Sequence, residues 1–255
     1  MALKNMIPNF ITCLNLLCGC IGIVLCFTGH ITGGSWMILL AAVFDFSDGF
    51  AARMLKAQSA IGKDLDSLAD VITFGLLPSI VMMQLFITVN PFMHTNAGLP
   101  FPQMLLPWAP LLLAVFSALR LAKFNNDTRQ TNSFIGLSTP ANAMAIAAFP
   151  TLVQNYLVNN TTGNSSLMEN SIYQLFLHPT FYILFIIFMS WLLVAEIPLF
   201  SLKFKNFTLR DNLFPYILIA AAVLLFIFFK IGALPLVIIL YVLLSVIKNS
   251  VATSK

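Results

Sequence analysis

Apolar runs of about 20 residues, each enough for a helix to cross a bilayer core, recur along the whole chain, separated by short polar breaks. They fall at roughly 8–28, 35–55, 67–89, 104–124, 138–158, 175–198, 212–229 and 232–249, the last two short and separated by a turn at Lys230–Pro235. With 59% hydrophobic and 9% charged residues in 255, a water-soluble domain could not cover its surface. Barrel strands would instead alternate apolar and polar residues. The expected fold is therefore all-α: one polytopic integral membrane domain spanning 1–255, with about eight transmembrane helices.

Charge placement orients these spans. With the N-terminus inside, 12 of the 13 basic residues fall on the cytoplasmic side, and only Lys230 lies outside. The positive-inside rule then predicts an N-in, C-in topology. The net surplus of +4 is spread through loops, which argues for membrane topology and against a nucleic-acid partner. The long loops 90–103 and 156–174 face outward. The second contains Asn-x-Ser/Thr triplets within NYLVNNTTGNSSLMENS, either glycosylation acceptors or ordinary loop composition. Cys13, Cys18, Cys20 and Cys26 match no zinc spacing and read as small hydrophobes of the first helix. That helix resembles a signal peptide, but no cleavage site is evident and further spans follow, so it is read as retained.

Against this aversion to charge stands DFSDGFAARMLKAQSAIGKDLDSLAD, residues 45–70, which holds five of the nine acidic residues. Asp45 and Asp48 are three apart, Asp66 and Asp70 four apart, so each pair shares a helix face. The short connection between their helices brings all four toward one cytoplasmic pocket. Such a cluster repels itself unless cations lie within it. Hard oxygen ligands select Mg²⁺, Mn²⁺ or Ca²⁺, and a pair of such ions suits phosphoryl transfer. Asp64, beside Lys63 and off the shared face, reads as a solvated loop charge.

The neighbouring residues suit a phosphate-bearing ligand. Gly49 and Gly62 permit close approach, Ala52 keeps the face narrow, and Arg53 offers a positive fork. Asn9, Thr12 and Asn15, at i, i+3 and i+6, form a polar stripe at the cytoplasmic end of the first span. Helix–helix hydrogen bonding is the plain role for such a stripe. Arg120 and Lys123, ending span four, either bind a carboxylate or lipid phosphate or serve as positive-inside anchors. Glu196, before Pro198, reads as a partner for Lys203; His30, His94 and His178 are scattered and receive no catalytic role.

The pattern Asp48-Gly49-x₂-Ala52-Arg53-x₈-Gly62-x₃-Asp66-x₃-Asp70, preceded by Asp45, resembles the signature of the CDP-alcohol phosphatidyltransferase family without a mismatch. The segments IPNFITCLN (7–15), DSLADVITFGLLPS (66–79), ALRLAKFN (118–125) and FIGLSTPANA (134–143) resemble its phosphatidylserine synthase branch. Ser138 departs from the proline more usual there.

The resemblance implies a six-helix catalytic core within 1–200, its metal and CDP site at 45–70, and an additional C-terminal helical hairpin at 201–255. It implies Mg²⁺ or Mn²⁺, in a two-ion site, with Asp45, Asp48, Asp66 and Asp70 as ligands and Asp70 also the general base. Gly49, Ala52, Arg53 and Gly62 would shape the CDP pocket, with Asn9, Thr12 and Asn15 touching cytidine or its phosphates. Arg120 and Lys123, and more weakly Asn125 and Ser138, are the candidates for the acceptor or a lipid phosphate. The implied partners are CDP-diacylglycerol, L-serine, the lipid bilayer and a second copy of the chain. The implied location is the bacterial inner membrane, with the active site facing the cytoplasm. The absence of a basic residue in Val71–Phe74, just after Asp70, favours a zwitterion such as serine over a phosphorylated alcohol. The alternatives are the same chemistry with glycerol 3-phosphate or an inositol acceptor and, from another class, a cation transporter, which would place acids at mid-membrane on several helices.

Overall fold

Two long apolar helices open the chain, α1 (Leu3–Phe27) and α2 (Ile31–Met54), turning at Gly29 and packing closely along one another. This computed structural model describes residues 3–90, 104–127, 134–161, 171, 174–175, 178–200, 208 and 212–253. After a short break, α3 (Ala60–Asp70) begins at Ser59, whose side chain accepts from the Gly62 amide and caps the helix. It does not end at Asp70. The chain continues through a π-helical segment, Val71–Leu76, into α4 (Leu77–Val89), giving one uninterrupted 30-residue rod.

The two halves of that rod differ in pattern. α3 is amphipathic, with Asp66 and Asp70 toward the α1–α2 pair, whereas α4 is largely apolar and buried almost throughout. A helix without a polar face belongs in the middle of a bundle. α4 occupies that place, packed against α1, α2, α5 (Leu111–Asn126) and α6 (Thr139–Ala147). Phe86 of α4 stacks on Tyr182 of α8 (Pro179–Val194), with ring centroids 4.1 Å apart.

Five helical stretches among the described residues are long and apolar enough to cross a membrane: Met6–Phe27, Ile31–Met54, Ala60–Val89, Leu106–Asn126 and Leu213–Ser250. The chain is thus an all-α protein with membrane-spanning helices, as its hydropathy requires. The remaining expected spans look different. The run at 138–158 is divided between α6 and α7 (Phe149–Thr161), with the break at Ala148 just before Pro150, and the run at 175–198 contains the shorter α8. Proline explains the first of these, because it cannot donate the bond that would continue the preceding helix. The last stretch comprises α9 (Leu213–Phe229) and α10 (Ala233–Thr253), joined by a 3₁₀ turn at Lys230–Gly232. Lys230 there takes φ 50° and reverses the chain, so the two helices pack side by side. The basic residues Arg129, Lys203, Lys205, Arg210 and Lys255, which carry much of the topology argument, lie outside the described residues, as does most of the loop holding the Asn-x-Ser/Thr triplets.

The only extended pairing among the described residues is a two-residue antiparallel ribbon. β1 (Phe134–Ile135) pairs with β2 (Pro198–Leu199), Phe134 opposite Leu199 and Ile135 opposite Pro198. It continues beyond its strands, with the Gly136 amide donating to the Ile197 carbonyl (3.0 Å) and the Leu137 amide to that of Leu192 (2.9 Å). Gly136 has φ 75°, and a Cβ there would come within 2.8 Å of the Leu193 carbonyl oxygen, so glycine is needed twice over.

Candidate metal and phosphate site

The acidic pairs converge as their spacing predicts. Asp45 and Asp48 lie near the end of α2, Asp66 and Asp70 near the end of α3, and α1 packs against both helices. One carboxylate oxygen from each of Asp45, Asp48 and Asp66 lies within 4.8 Å of the others. Asp70 sits one turn further along, with its carboxyl in side-chain contact with that of Asp45. Asp48 and Asp70 are buried, and Asp66 Oδ1 is a buried oxygen without a hydrogen-bond partner. Converging anions with an unsatisfied buried acceptor make a donor set suited to a hard divalent cation, and the site can hold one.

The stripe on α1 faces this cluster. Thr12 Oγ1 donates to Asp48 Oδ2 at 2.7 Å, a shorter reach than its 3.1 Å to the Pro8 carbonyl. Asn15 Nδ2 donates to Asp70 Oδ1 at 3.4 Å, and the Asn15 carbonyl accepts from Thr73 Oγ1 in the π segment. Asn9 lies where α1 passes Gly62, its Oδ1 3.1 Å from the position a Cβ would take. All three stripe residues therefore meet the acidic helices, two of them by holding an aspartate in place.

Beside the cluster opens a cavity of about 520 Å³, lined in part by Asn9, Thr12, Asp48, Gly49, Ala52, Gly62 and Asp66. The acids form one wall and the small residues another, leaving room for a nucleotide-sized group. Arg53 is exposed at the side of this cavity, its Nη1 3.6 Å from the place of a Gly49 Cβ. Lys63, Ser59 and Gln58 also line it. Lys63, noted in the sequence only as the neighbour of Asp64, is a cation of the cavity wall, and its Nζ donates to the Asn125 carbonyl. The signal available was its position one residue after Gly62. Asp64 is exposed, as expected of a solvated charge.

The other candidates fall in a second locality. Arg120 is buried, its guanidinium 4.8 Å from the centroid of the Phe124 ring and within electrostatic reach of Asp70 and Asp45. Lys123 is exposed and shares with Arg120 a small cavity against Ile135 and Glu196. Asn125 is occupied otherwise: its Nδ2 donates to Ser67 Oγ at 2.8 Å, tying α5 to α3. Ser138 caps α6, accepting from the Ala141 amide. The opposite face of α2 turns outward, with Phe46 (69% exposed) and Phe50 (51%) stacked on one another.

Residues 5–197 match the family model of the CDP-alcohol phosphatidyltransferases, and the chain belongs to that family. It is 32% identical over 169 residues to a protein of Bacillus subtilis (strain 168) named CDP-diacylglycerol–serine O-phosphatidyltransferase, a match covering 66% of this chain and 89% of that one. A protein of the same name from Methanocaldococcus jannaschii is 30% identical, over 60% of this chain and 65% of its own length. An archaetidylserine synthase of Methanothermobacter thermautotrophicus is 31% identical, over 56% of this chain and 57% of its own. The chain thus spans most of the first relative but less than two thirds of the other two.

Proposed function

We propose that this protein transfers the phosphatidyl group of CDP-diacylglycerol to the hydroxyl of L-serine, giving phosphatidylserine and CMP. The observation that carries the reading is the meeting of Asp45, Asp48, Asp66 and Asp70 beside a cavity sized for a nucleotide, in a chain whose relatives bear the names of serine transferases.

Asp45, Asp48 and Asp66 would hold divalent ions, Mg²⁺ or Mn²⁺, with Asp70 at their edge. When bound, such ions neutralise a pyrophosphate and stabilise the charge left on the departing CMP. The chain's own residues do the rest. Thr12 fixes the Asp48 carboxylate and Asn15 that of Asp70, so neither rotates away from its partner groups. Gly49, Ala52 and Gly62 leave space for the cytidine end, and Arg53 and Lys63 supply positive charge to its phosphates. Asp70 accepts the proton of the serine hydroxyl while that oxygen forms a bond to the lipid phosphorus. The bond from phosphorus to the bridging oxygen breaks, and CMP leaves with its electrons. Arg120, buried beside Asp70, would meet the serine carboxylate.

The same reading places the catalytic core within 1–200 and the C-terminal hairpin at 201–255, with eight spans, both termini inside and the site at the cytoplasmic surface. The test is CMP release by the purified protein, with and without serine and with glycerol 3-phosphate or inositol in its place. Serine-dependent release, silenced by EDTA and restored by Mg²⁺ or Mn²⁺, is expected. Release with glycerol 3-phosphate but none with serine would move the protein to the other acceptor class. Thr12→Val, which removes the donor to Asp48 at nearly constant volume, is expected to lower kcat/KM for CDP-diacylglycerol about tenfold, the usual cost of a hydrogen bond to a charged group. The same assay checks it.

A further inference from the structure

The family match ends at residue 197, yet α10, well beyond it, reaches back to the chain just after that point. Tyr241, Ser245 and Asn249 lie at i, i+4 and i+8, on one face of a largely apolar helix. Each meets the backbone of 198–200. Asn249 Nδ2 donates to the Pro198 carbonyl (2.6 Å), Tyr241 Oη donates to the Phe200 carbonyl (2.8 Å), and the Phe200 amide donates to Ser245 Oγ (3.4 Å). The Phe200 ring sits edge-on to Tyr241, centroids 5.0 Å apart, with Lys248 Nζ 5.3 Å from its centre. A segment with two carbonyls and one amide satisfied by side chains of a single helix is pinned there, not merely packed.

What is pinned matters for the site. Pro198–Leu199 is one strand of the two-residue ribbon, and the other strand runs through Gly136 and Leu137 into the Ser138 cap of α6. Ile135 from one side of the ribbon and Leu193–Glu196 from the other wall the small cavity that holds Arg120 and Lys123. Movement of 198–200 therefore moves the surface facing Arg120. The donor cavity has no residue from either strand or from α10.

We infer that Tyr241, Ser245 and Asn249 are positioning residues for the acceptor side of the reaction: through the ribbon, α10 sets the wall opposite Arg120. This rests on the reading above that Arg120 meets the acceptor. It separates the two substrates, because among the described residues the donor cavity is lined only by α1, α2, α3 and the connection between α2 and α3.

The experiment uses the full-length protein, comparing wild type with Tyr241→Phe, Asn249→Leu and the double variant. Each change removes a donor with little change in size. The double variant is expected to raise KM for serine about tenfold, as two hydrogen bonds lost from the support would. KM for CDP-diacylglycerol should stay at its wild-type value, with the variants still folded at the assay temperature. Amide hydrogen exchange at Gly136, Leu137 and Phe200 should quicken. Unchanged KM for serine overturns the inference; so does an equal rise in both KM values, or exchange as slow as in wild type. If wild type uses another alcohol, the comparison is made with that alcohol, so failure of the acceptor assignment is seen in wild type and failure of this inference in the variants.

Discussion

Asp70→Asn is expected to lower turnover by about 10³-fold or more, the range lost when a positioned general base is removed. The substitution keeps the shape of the side chain and its neighbour Asn15, and it takes one negative charge out of contact with Asp45. Folding should therefore be unharmed, with an unfolding temperature at or above that of wild type. Donor binding should also survive, because Asp48 and Asp66 line the 520 Å³ cavity and Asp70 does not. The informative result is this split: no CMP release, but retained affinity for CDP-diacylglycerol in a direct binding measurement. Turnover near the wild-type rate would remove Asp70 from the role of base. Loss of donor binding together with turnover would make it a cation ligand first.

Deletion of Ile72 is expected to be as damaging, for a geometric reason. The π segment Val71–Leu76 inserts one residue into the rod between the acids and α4. Removing a residue there allows an ordinary α-helical ladder, but it turns everything on one side by about 100° and shifts it by about 1.5 Å. α4 is buried almost throughout and held between four other helices, so α3 must turn instead. Asp66 and Asp70 would then leave the face presented to Asp45, Asp48 and the α1 stripe. Loss of CMP release with retained helicity by circular dichroism is the expected outcome. A variant that still turns over would mean that the π segment does not set the direction of the acids. Ile72→Ala, which leaves the backbone count intact, should stay active.

Much of the candidate site could be read along the chain because its parts are close in sequence and governed by helical period. The two aspartate pairs and the Asn9–Thr12–Asn15 stripe each point one way from a single helix, and a short connection leaves them few ways to meet. The π segment was invisible: VITFGL has the apolar composition of any buried helix, and no residue in it marks an extra unit of backbone. The start of that helix was nearer to hand, since Ser59 is a capping residue, yet hydropathy alone began the span at 67. Pro150 likewise marked the break in the run at 138–158. The support from α10 depends on contacts across more than 40 residues of chain, which no local pattern encodes, although polar residues at 241, 245 and 249 in so apolar a helix were a visible oddity. Lys63 received no role from the sequence, because its place on the cavity wall depends on how α3 meets α1.

The two faces of α2 carry a kinetic implication. Acids line one side, while Phe46 and Phe50 stand bare on the other, so with that face against lipid the proposed chemistry would lie a single helix width from the hydrocarbon phase. A donor with two acyl chains has no reason to depart from its leaflet to be used; it arrives by lateral diffusion. The concentration that governs such an encounter is the number of donor molecules per unit area of bilayer, not per volume of solution. Adding inert phospholipid at a fixed total amount of donor should therefore slow the enzyme as surely as withholding substrate.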